Sequence, residues 1–395
     1  MRVVRVEKSE RAGNSGKYTV PHYDPSVQAE DVGESSSACA EGSYGALVMG
    51  SGFDSGEPGP NACSCMSTPT SPNPASPGPH SSEGEIALPE VKMHLYRPHE
   101  PVTARVTKSE ICTSRKAAGF VRHVEIDISG TTLQGQILPG QSIGVLAPGQ
   151  DAKSRNHAVR LYSVASPTRG EDGAGKVIST TVKRTIDEDW ETHKLFLGVC
   201  SNFLCDVREG DEIKLSGPNG KKFLLPADSG SYDYIFFATG TGIAPFRGML
   251  LDLLHNNAPS KIALVMGSPY ATDLLYDAFF RQMASEHKRF TYLTAISREK
   301  QSDGHDPMYV QDRISTNRDQ MMAMLSSERT LIYVCGIAGM ELGIFQKMAA
   351  ILPQHALEQY LKVEPTAMGD IRSWTRKNLH REVKPTRRVF LEVYA

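Results

Sequence analysis

Between about residues 92 and 225 the apolar positions come in short bursts. Runs at 102–107, 121–128, 142–146, 160–165, 177–183 and 212–215 are rich in β-branched or aromatic residues, and clusters of Gly, Pro, Asn and Asp separate them. Short strands at that spacing predict an antiparallel barrel. From about residue 232 the pattern lengthens. Apolar strands at 234–239, 261–267, 290–296 and 330–335 alternate with helical stretches at 245–256, 272–285 and 312–325, and a further helix follows 335. Strand–helix alternation predicts a doubly wound parallel sheet. Such sheets bind ligands beyond the carboxyl ends of their strands, so residues just after strands carry the most information. The final run, Leu391-Glu392-Val393-Tyr394-Ala395, is also strand-like. Chain ends usually fray, and this one reads as tied down.

Residues 1–91 follow neither pattern. They are poor in large apolar residues, and Ser67-Thr68-Pro69-Thr70-Ser71-Pro72-Asn73-Pro74 is a linker by composition. Such a segment cannot bury enough surface to offset its ordering entropy, so disorder is expected. The division is therefore a disordered acidic extension at 1–91, a barrel domain at 92–228 and an α/β domain at 229–395.

Composition adds three points. The extension holds five basic and twelve acidic side chains and the remainder 38 and 33, so a net charge of −2 divides into −7 and +5. A mildly basic body suits an acidic partner protein and gives no reason to expect nucleic acid. No run of about 18 apolar residues is present, so no transmembrane helix is expected. The charged start lacks a secretory core, and twelve acids suit a transit peptide poorly. Seven scattered cysteines fit a reducing compartment. Cys39, Cys63 and Cys65 lack a metal-ligand spacing, and no metal site is expected.

The chemistry-bearing residues fall into five runs. In Arg160-Leu161-Tyr162-Ser163, alternation puts Arg160 and Tyr162 on one strand face and Ser163 on the other. A guanidinium can grip a phosphate bidentately and a phenol can stack on a flat ring. Gly198-Val199-Cys200-Ser201 opens a short helix whose free N–H groups make an anion site. Thr239-Gly240-Thr241-Gly242-Ile243-Ala244-Pro245 joins a strand to a helix through glycines that admit a dinucleotide backbone. Ser297-Arg298, with Tyr309 and Gln311 further on, offers a hydroxyl, a guanidinium and a phenol at strand ends, suited to a phosphate and a stacked base. Last, Tyr333-Val334-Cys335-Gly336 leads through Gly339 and Met340 toward the Glu392/Tyr394 end. Taken singly, four of the runs are ordinary: a half-buried strand, a capped helix, a solvated arginine, an inert buried cysteine; the run from Thr239, following a strand and opening a helix, is the strong one.

Together and in this order the runs resemble the plant-type ferredoxin–NADP+ reductases, flavoenzymes that move electrons between NADPH and a small iron–sulfur protein. The resemblance covers roughly residues 93–395. It implies a FAD-binding barrel followed by an NADP-binding α/β domain. It implies Arg160 on the FAD pyrophosphate, Tyr162 against the isoalloxazine and Ser163 beside flavin N5, where hydride arrives. Leu161, Thr181, Val182 and Lys183 join the FAD site, and Gly198, Val199, Cys200 and Ser201 hold its phosphates. Thr241 lies near both cofactors. Gly242, Gly336 and Met340 admit NADP, while Ser297, Arg298, Tyr309 and Gln311 select it over NAD. Cys335 lies near the nicotinamide. Tyr394 covers the flavin face and yields to nicotinamide, and Glu392 helps pass protons near Ser163 and the nicotinamide.

Three positions depart from the family pattern. Pro307 stands where a Lys or Arg would meet the 2′-phosphate, with Arg313 or Lys300 as substitutes. Asp187 stands where a tyrosine would carry the FAD adenine, with Trp190 nearby. Ala395 follows the stacking tyrosine. Lys153 and Arg155 fall where the family docks acidic ferredoxin. The implied activity is electron exchange between NADP(H) and ferredoxin or flavodoxin, by a monomer in a bacterial cytoplasm or a plastid stroma. A reductase component of an oxygenase system, and a scaffold whose acidic tail is the working part, are the competing readings. No fused iron–sulfur cysteine set is present.

Overall fold

A computed structural model describes residues 86–395 apart from Trp190, His380 and Ala395. The expectations for the extension before residue 86, for Cys39, Cys63 and Cys65, and for Trp190 and Ala395 lie outside the described residues.

The first half is the antiparallel barrel. Its strands are β1 (Val102–Ile111), β2 (Val121–Asp127), β3 (Ser142–Leu146), β4 (Arg160–Ser163) and β5 (Val177–Lys183). A small hairpin follows, β6 (Ile186–Glu188) and β7 (Leu195–Leu197), then helix α1 (Val199–Asp206) and strand β8 (Glu212–Asn219). The order is β4-β3-β8-β1-β2-β5, and an antiparallel bridge between Val164 and Thr180 joins the two edges. That contact brings the two edges of the sheet together as a barrel. Val124, Ile126, Ile143, Val145, Ile213 and Leu215 fill the interior, and α1 adds Cys200, Leu204 and Cys205 to the same core.

The second half is the parallel sheet. It contains β9 (Asp233–Thr239), α2 (Ile243–His255), β10 (Ile262–Ser268), α3 (Asp277–Glu286), β11 (Phe290–Ile296), α4 (Arg313–Thr316), α5 (Arg318–Leu325), β12 (Thr330–Ile337) and α6 (Met340–Ile351). After α7 (Gln354–Leu357) and the paired strands β13 (Leu361–Val363) and β14 (Val383–Pro385), the final strand β15 (Val389–Tyr394) returns to the sheet. The order β11-β10-β9-β12-β15 reverses direction between β9 and β12. Ligands of open α/β sheets sit at such a reversal.

Alternation along the strands sends side chains to two cores. Ile235, Phe237, Ile332 and Val334 pack on the side of α6, while Tyr234, Phe236, Tyr333 and Cys335 pack with α2 and with Phe223 and Val121 of the barrel half. The halves meet closely. Gly248 of α2 allows this, because a Cβ there would lie 2.4 Å from the Ser166 carbonyl. Asp252 accepts from Thr168 N and Oγ1 at 3.0 and 2.6 Å, and Tyr333 donates to the Leu224 carbonyl at 2.7 Å.

Three details differ from the sequence expectation. The helix expected from 272 begins at Asp277, because Tyr276 takes a left-handed conformation (φ +55°) after a 3-10 turn. The helix expected over 312–325 breaks at Asn317 (φ −110°, ψ 44°). Arg313 Nη1 and Thr316 Oγ1 both donate to the Asn317 side chain, a local arrangement that competes with helix continuation. The β6–β7 hairpin was not foreseen, since all six of its residues are exposed and none shows burial alternation.

Candidate active site

The reversal point is built by two glycine contacts. Gly336 (φ +145°) lies against Thr239, whose Oγ1 would be 2.1 Å from a Cβ at 336. Gly242 lies against the Cys335 carbonyl, which a Cβ there would meet at 2.2 Å. Thr239 Oγ1 accepts from Ile337 N at 2.9 Å and donates to Met340 Sδ at 3.4 Å. The turns after β9 and β12 are thus locked together.

Register then sets the wall. Cys335 is level with Glu392 and Ile337 with Tyr394 across the β12–β15 pair. Cys335 and Glu392 share the sheet face of Tyr333 and Phe390, whose rings stack at 4.3 Å. Cys335 is fully buried, and burial, with the Glu392 carboxylate second, raises its thiol well above the usual range. Glu392 Oε2 is buried with no hydrogen-bond partner among the described residues, and burial lifts the carboxyl pKa to about 7. Tyr394 hydrogen-bonds Thr241 Oγ1 through its hydroxyl at 2.8 Å, and its carbonyl accepts from Ala338 N at 2.9 Å. Tyr394 remains 41% exposed as a residue.

The barrel supplies the other groups. Arg160 is exposed, with Nη1 3.4 Å from the adjacent Val159 carbonyl, and Leu161 is 58% exposed. Tyr162 packs on the barrel core, and burial followed by Cys200 raises its hydroxyl pKa. The Ser163 carbonyl accepts from Thr180 Oγ1 at 2.8 Å. At α1, Gly198 caps without a side-chain bond, so the first-turn N–H groups of Val199, Cys200 and Ser201 face outward from the helix end. The Cys200 thiol and Ser201 hydroxyl turn inward, donating to the carbonyls of Val145 and Gly198.

Other expected residues are placed less directly. Thr181 spends its hydroxyl on Tyr276 at 2.5 Å and Val182 is buried in the barrel, so these two offer main chain; Lys183 is exposed. Ser297 and Arg298 donate backbone N–H groups to Ser268 and Pro269, and the exposed Arg298 lies over the Tyr270 ring at 5.7 Å. Tyr309 is 64% exposed. Gln311 packs on Gly343 of α6. Arg313 cannot stand in for the phosphate partner missing at Pro307: it is 2% exposed and holds Asp303 at 2.5 Å and the Thr294 carbonyl at 2.7 Å. Lys300 is exposed. Arg155 is bound to Asp151 at 2.7 Å, which leaves Lys153 as the freer cation of that loop.

The comparisons with known proteins agree with this geometry. The oxidoreductase NAD-binding domain family matches residues 236–345. A ferredoxin–NADP reductase of Synechocystis sp. is 34% identical over 81% of this chain and 75% of its own length. The root isozyme 1 of Arabidopsis thaliana, a chloroplastic ferredoxin–NADP reductase, is 39% identical over 65% of this chain and 69% of its own. The chain belongs to the ferredoxin–NADP reductase family. In fold it resembles the ferredoxin–NADP+ reductase of Plasmodium falciparum, with a TM-score of 0.57 at 20% identity over 76% of this chain and 99% of that one.

For a ferredoxin–NADP reductase the residues present fit FAD and NADP. Leu161, Val199, Tyr309 and Tyr394 expose apolar or aromatic surface that an ordinary core would cover. Arg160 and Arg298 are exposed cations near them in the chain, and the orphaned Glu392 oxygen marks a place for a polar neighbour. Sequence reasoning missed the hydroxyl of Thr239 as a lock, although it lies inside a quoted motif. It also missed the Arg247–Glu171 pair, bidentate at 2.5 and 3.0 Å, which joins helix α2 to the barrel. No motif marks Glu171.

Proposed function

We propose that this chain carries electrons between NADP(H) and ferredoxin through bound FAD, and that the wall formed by Cys335, Glu392 and Tyr394 is the nicotinamide end of its site. The Thr241–Tyr394 contact carries the reading, because it sets an exposed aromatic ring at the sheet reversal. When bound, the flavin supplies two-electron exchange with nicotinamide and one-electron exchange with an iron–sulfur carrier.

The chain's own groups do the positioning. Arg160 and the first-turn N–H groups at Val199–Ser201 suit the FAD pyrophosphate. Tyr162 and Tyr394 suit the two faces of the flavin, and Ser163 its reacting edge. Arg298 and Tyr309, with Ser297 beside them and Lys300 nearby, suit a 2′-phosphate and its adenine. Gly242 and Gly336 keep side chains out of the turn where the dinucleotide would approach. Glu392, neutral below about pH 7, can hold a proton at Oε2 in a water-poor site. Cys335 fills the wall as a protonated thiol.

The reading extends to a carrier that is ferredoxin or flavodoxin, to a monomeric protein divided at about 92 and 229, and to a cytoplasmic or stromal setting. No helix among the described residues is long and apolar enough to cross a membrane. The relatives named above do not favour an oxygenase component or a scaffold. The test is direct. The purified protein is yellow, and it reduces cytochrome c through added ferredoxin faster with NADPH than with NADH. A colourless protein, or one indifferent to ferredoxin, overturns the reading.

A further inference from the structure

The β6–β7 hairpin carries an apolar surface that the barrel does not use. Ile186, Leu195, Phe196 and Leu197 are 57, 69, 62 and 52% exposed. Exposed apolar patches of this kind mark binding sites. The hairpin pairs Ile186 with Leu197, Asp187 with Phe196 and Glu188 with Leu195. Cross-strand partners share a face and successive residues alternate. Phe196 and Asp187 therefore share one face, and the aliphatic residues occupy the other with Glu188. The hairpin is fixed to the anion-binding end of α1, because Gly198 N and Asn202 Nδ2 both donate to the Thr185 carbonyl, at 3.0 and 2.8 Å. Phe196 thus lies two residues before Gly198 in an extended strand, about 7 Å of chain. A nucleotide's base and phosphate are joined through one sugar, so a flat ring this close to a phosphate-binding helix end is within reach of the base.

Position 187 is the one that the family resemblance assigns to the adenine, and its aspartate has no ring. Resting on the FAD reading above, we propose that Phe196, the cross-strand partner of Asp187, is the platform on which the FAD adenine stacks in this chain. The aromatic surface has moved across the hairpin from β6 to β7 while staying on the same face. The purine stacks on the phenyl ring, and the phosphates remain with Arg160 and the α1 N-terminus.

The experiment compares FAD with FMN, which has the same flavin and no adenosine. Wild type, Phe196→Ala, Phe196→Tyr and Trp190→Ala are prepared as full-length protein. Dissociation constants for both flavins are read from flavin fluorescence. Phe196→Ala weakens FAD about tenfold, the scale of one lost base–aromatic stack, and leaves FMN unchanged, while Phe196→Tyr keeps both affinities. An unchanged FAD affinity in Phe196→Ala overturns the proposal. So does an equal loss of FAD and FMN, which would mean that the ring only supports α1. A FAD-selective loss in Trp190→Ala alone would assign the platform to that residue instead. A wild-type protein that binds neither flavin overturns the functional reading and this proposal with it.

Discussion

Glu392 holds a carboxyl where its charge is poorly solvated and no donor among the described residues reaches Oε2. Its folded pKa, about 7, lies above the ordinary 4.5, so the folded state binds the extra proton. The contribution of this group to stability is then greatest below about pH 4.5 and is lost as pH rises to about 7, on the order of 3 kcal/mol in all. Glu392→Gln flattens that slope, and urea unfolding of both flavin-free proteins at pH 5 and pH 8 reads the difference. Equal slopes in the two proteins would exclude Glu392 as the source. At this scale the sequence was most readable where a residue sits in a run of fixed order, as Cys335, Glu392 and Tyr394 do. It was least readable where a charge is consumed by a distant partner. Arg313 looked available for a phosphate, yet it is spent on Asp303. Such pairing depends on folded distances that no local pattern encodes.

The strand ends show how the backbone decides what a position accepts. Gly336 and Gly339 both have positive φ, +145° and +103°, but their surroundings differ. A Cβ at 336 would strike Thr239 Oγ1 at 2.1 Å and the Thr239 backbone at 2.9 Å, whereas one at 339 would meet only Arg376 Cδ at 3.9 Å. Gly339→Ala therefore costs about 1 kcal/mol of conformational strain. Gly336→Ala costs roughly 3 kcal/mol or more, because overpacking adds to strain. Chemical denaturation measures both, and similar losses would refute the distinction. Strands β9 to β12 were legible because continuous apolar runs between helices leave few alternatives. The β6–β7 hairpin was not, since three-residue strands exposed on both faces leave no periodic trace.

Across the molecule, the barrel and the sheet are coupled by a buried polar cluster. Arg247 grips Glu171 and donates to the Ala165 carbonyl at 3.0 Å. Ser179 donates to Glu171 at 2.6 Å, and His123 lies between Tyr276 at 2.9 Å and Glu125 at 3.4 Å. His123, Glu125 and Glu171 are close enough together to suggest a metal site, but Arg247 and Ser179 already occupy the Glu171 oxygens. Removing one partner of a buried pair costs about 3–5 kcal/mol. Glu171→Gln therefore lowers stability on that scale and separates barrel unfolding from sheet unfolding, seen as two transitions in place of one. A single transition at an unchanged midpoint would show that the cluster is not the coupling. Division into two halves was readable from the change in hydrophobic period; their coupling was not, because its members span positions 123 to 276.

Placement of β15 at the sheet margin, paired among the described strands with β12 alone, has a kinetic consequence. Marginal elements open at lower free energy than central ones. Amide hydrogens of Leu391 to Tyr394 then exchange with deuterium sooner than those of β9 and β12. Each such opening removes Glu392 and Tyr394 from the site while the rest of the sheet stays closed. Under mild denaturant, catalysis fades before ellipticity does, and the loss reverses on dilution.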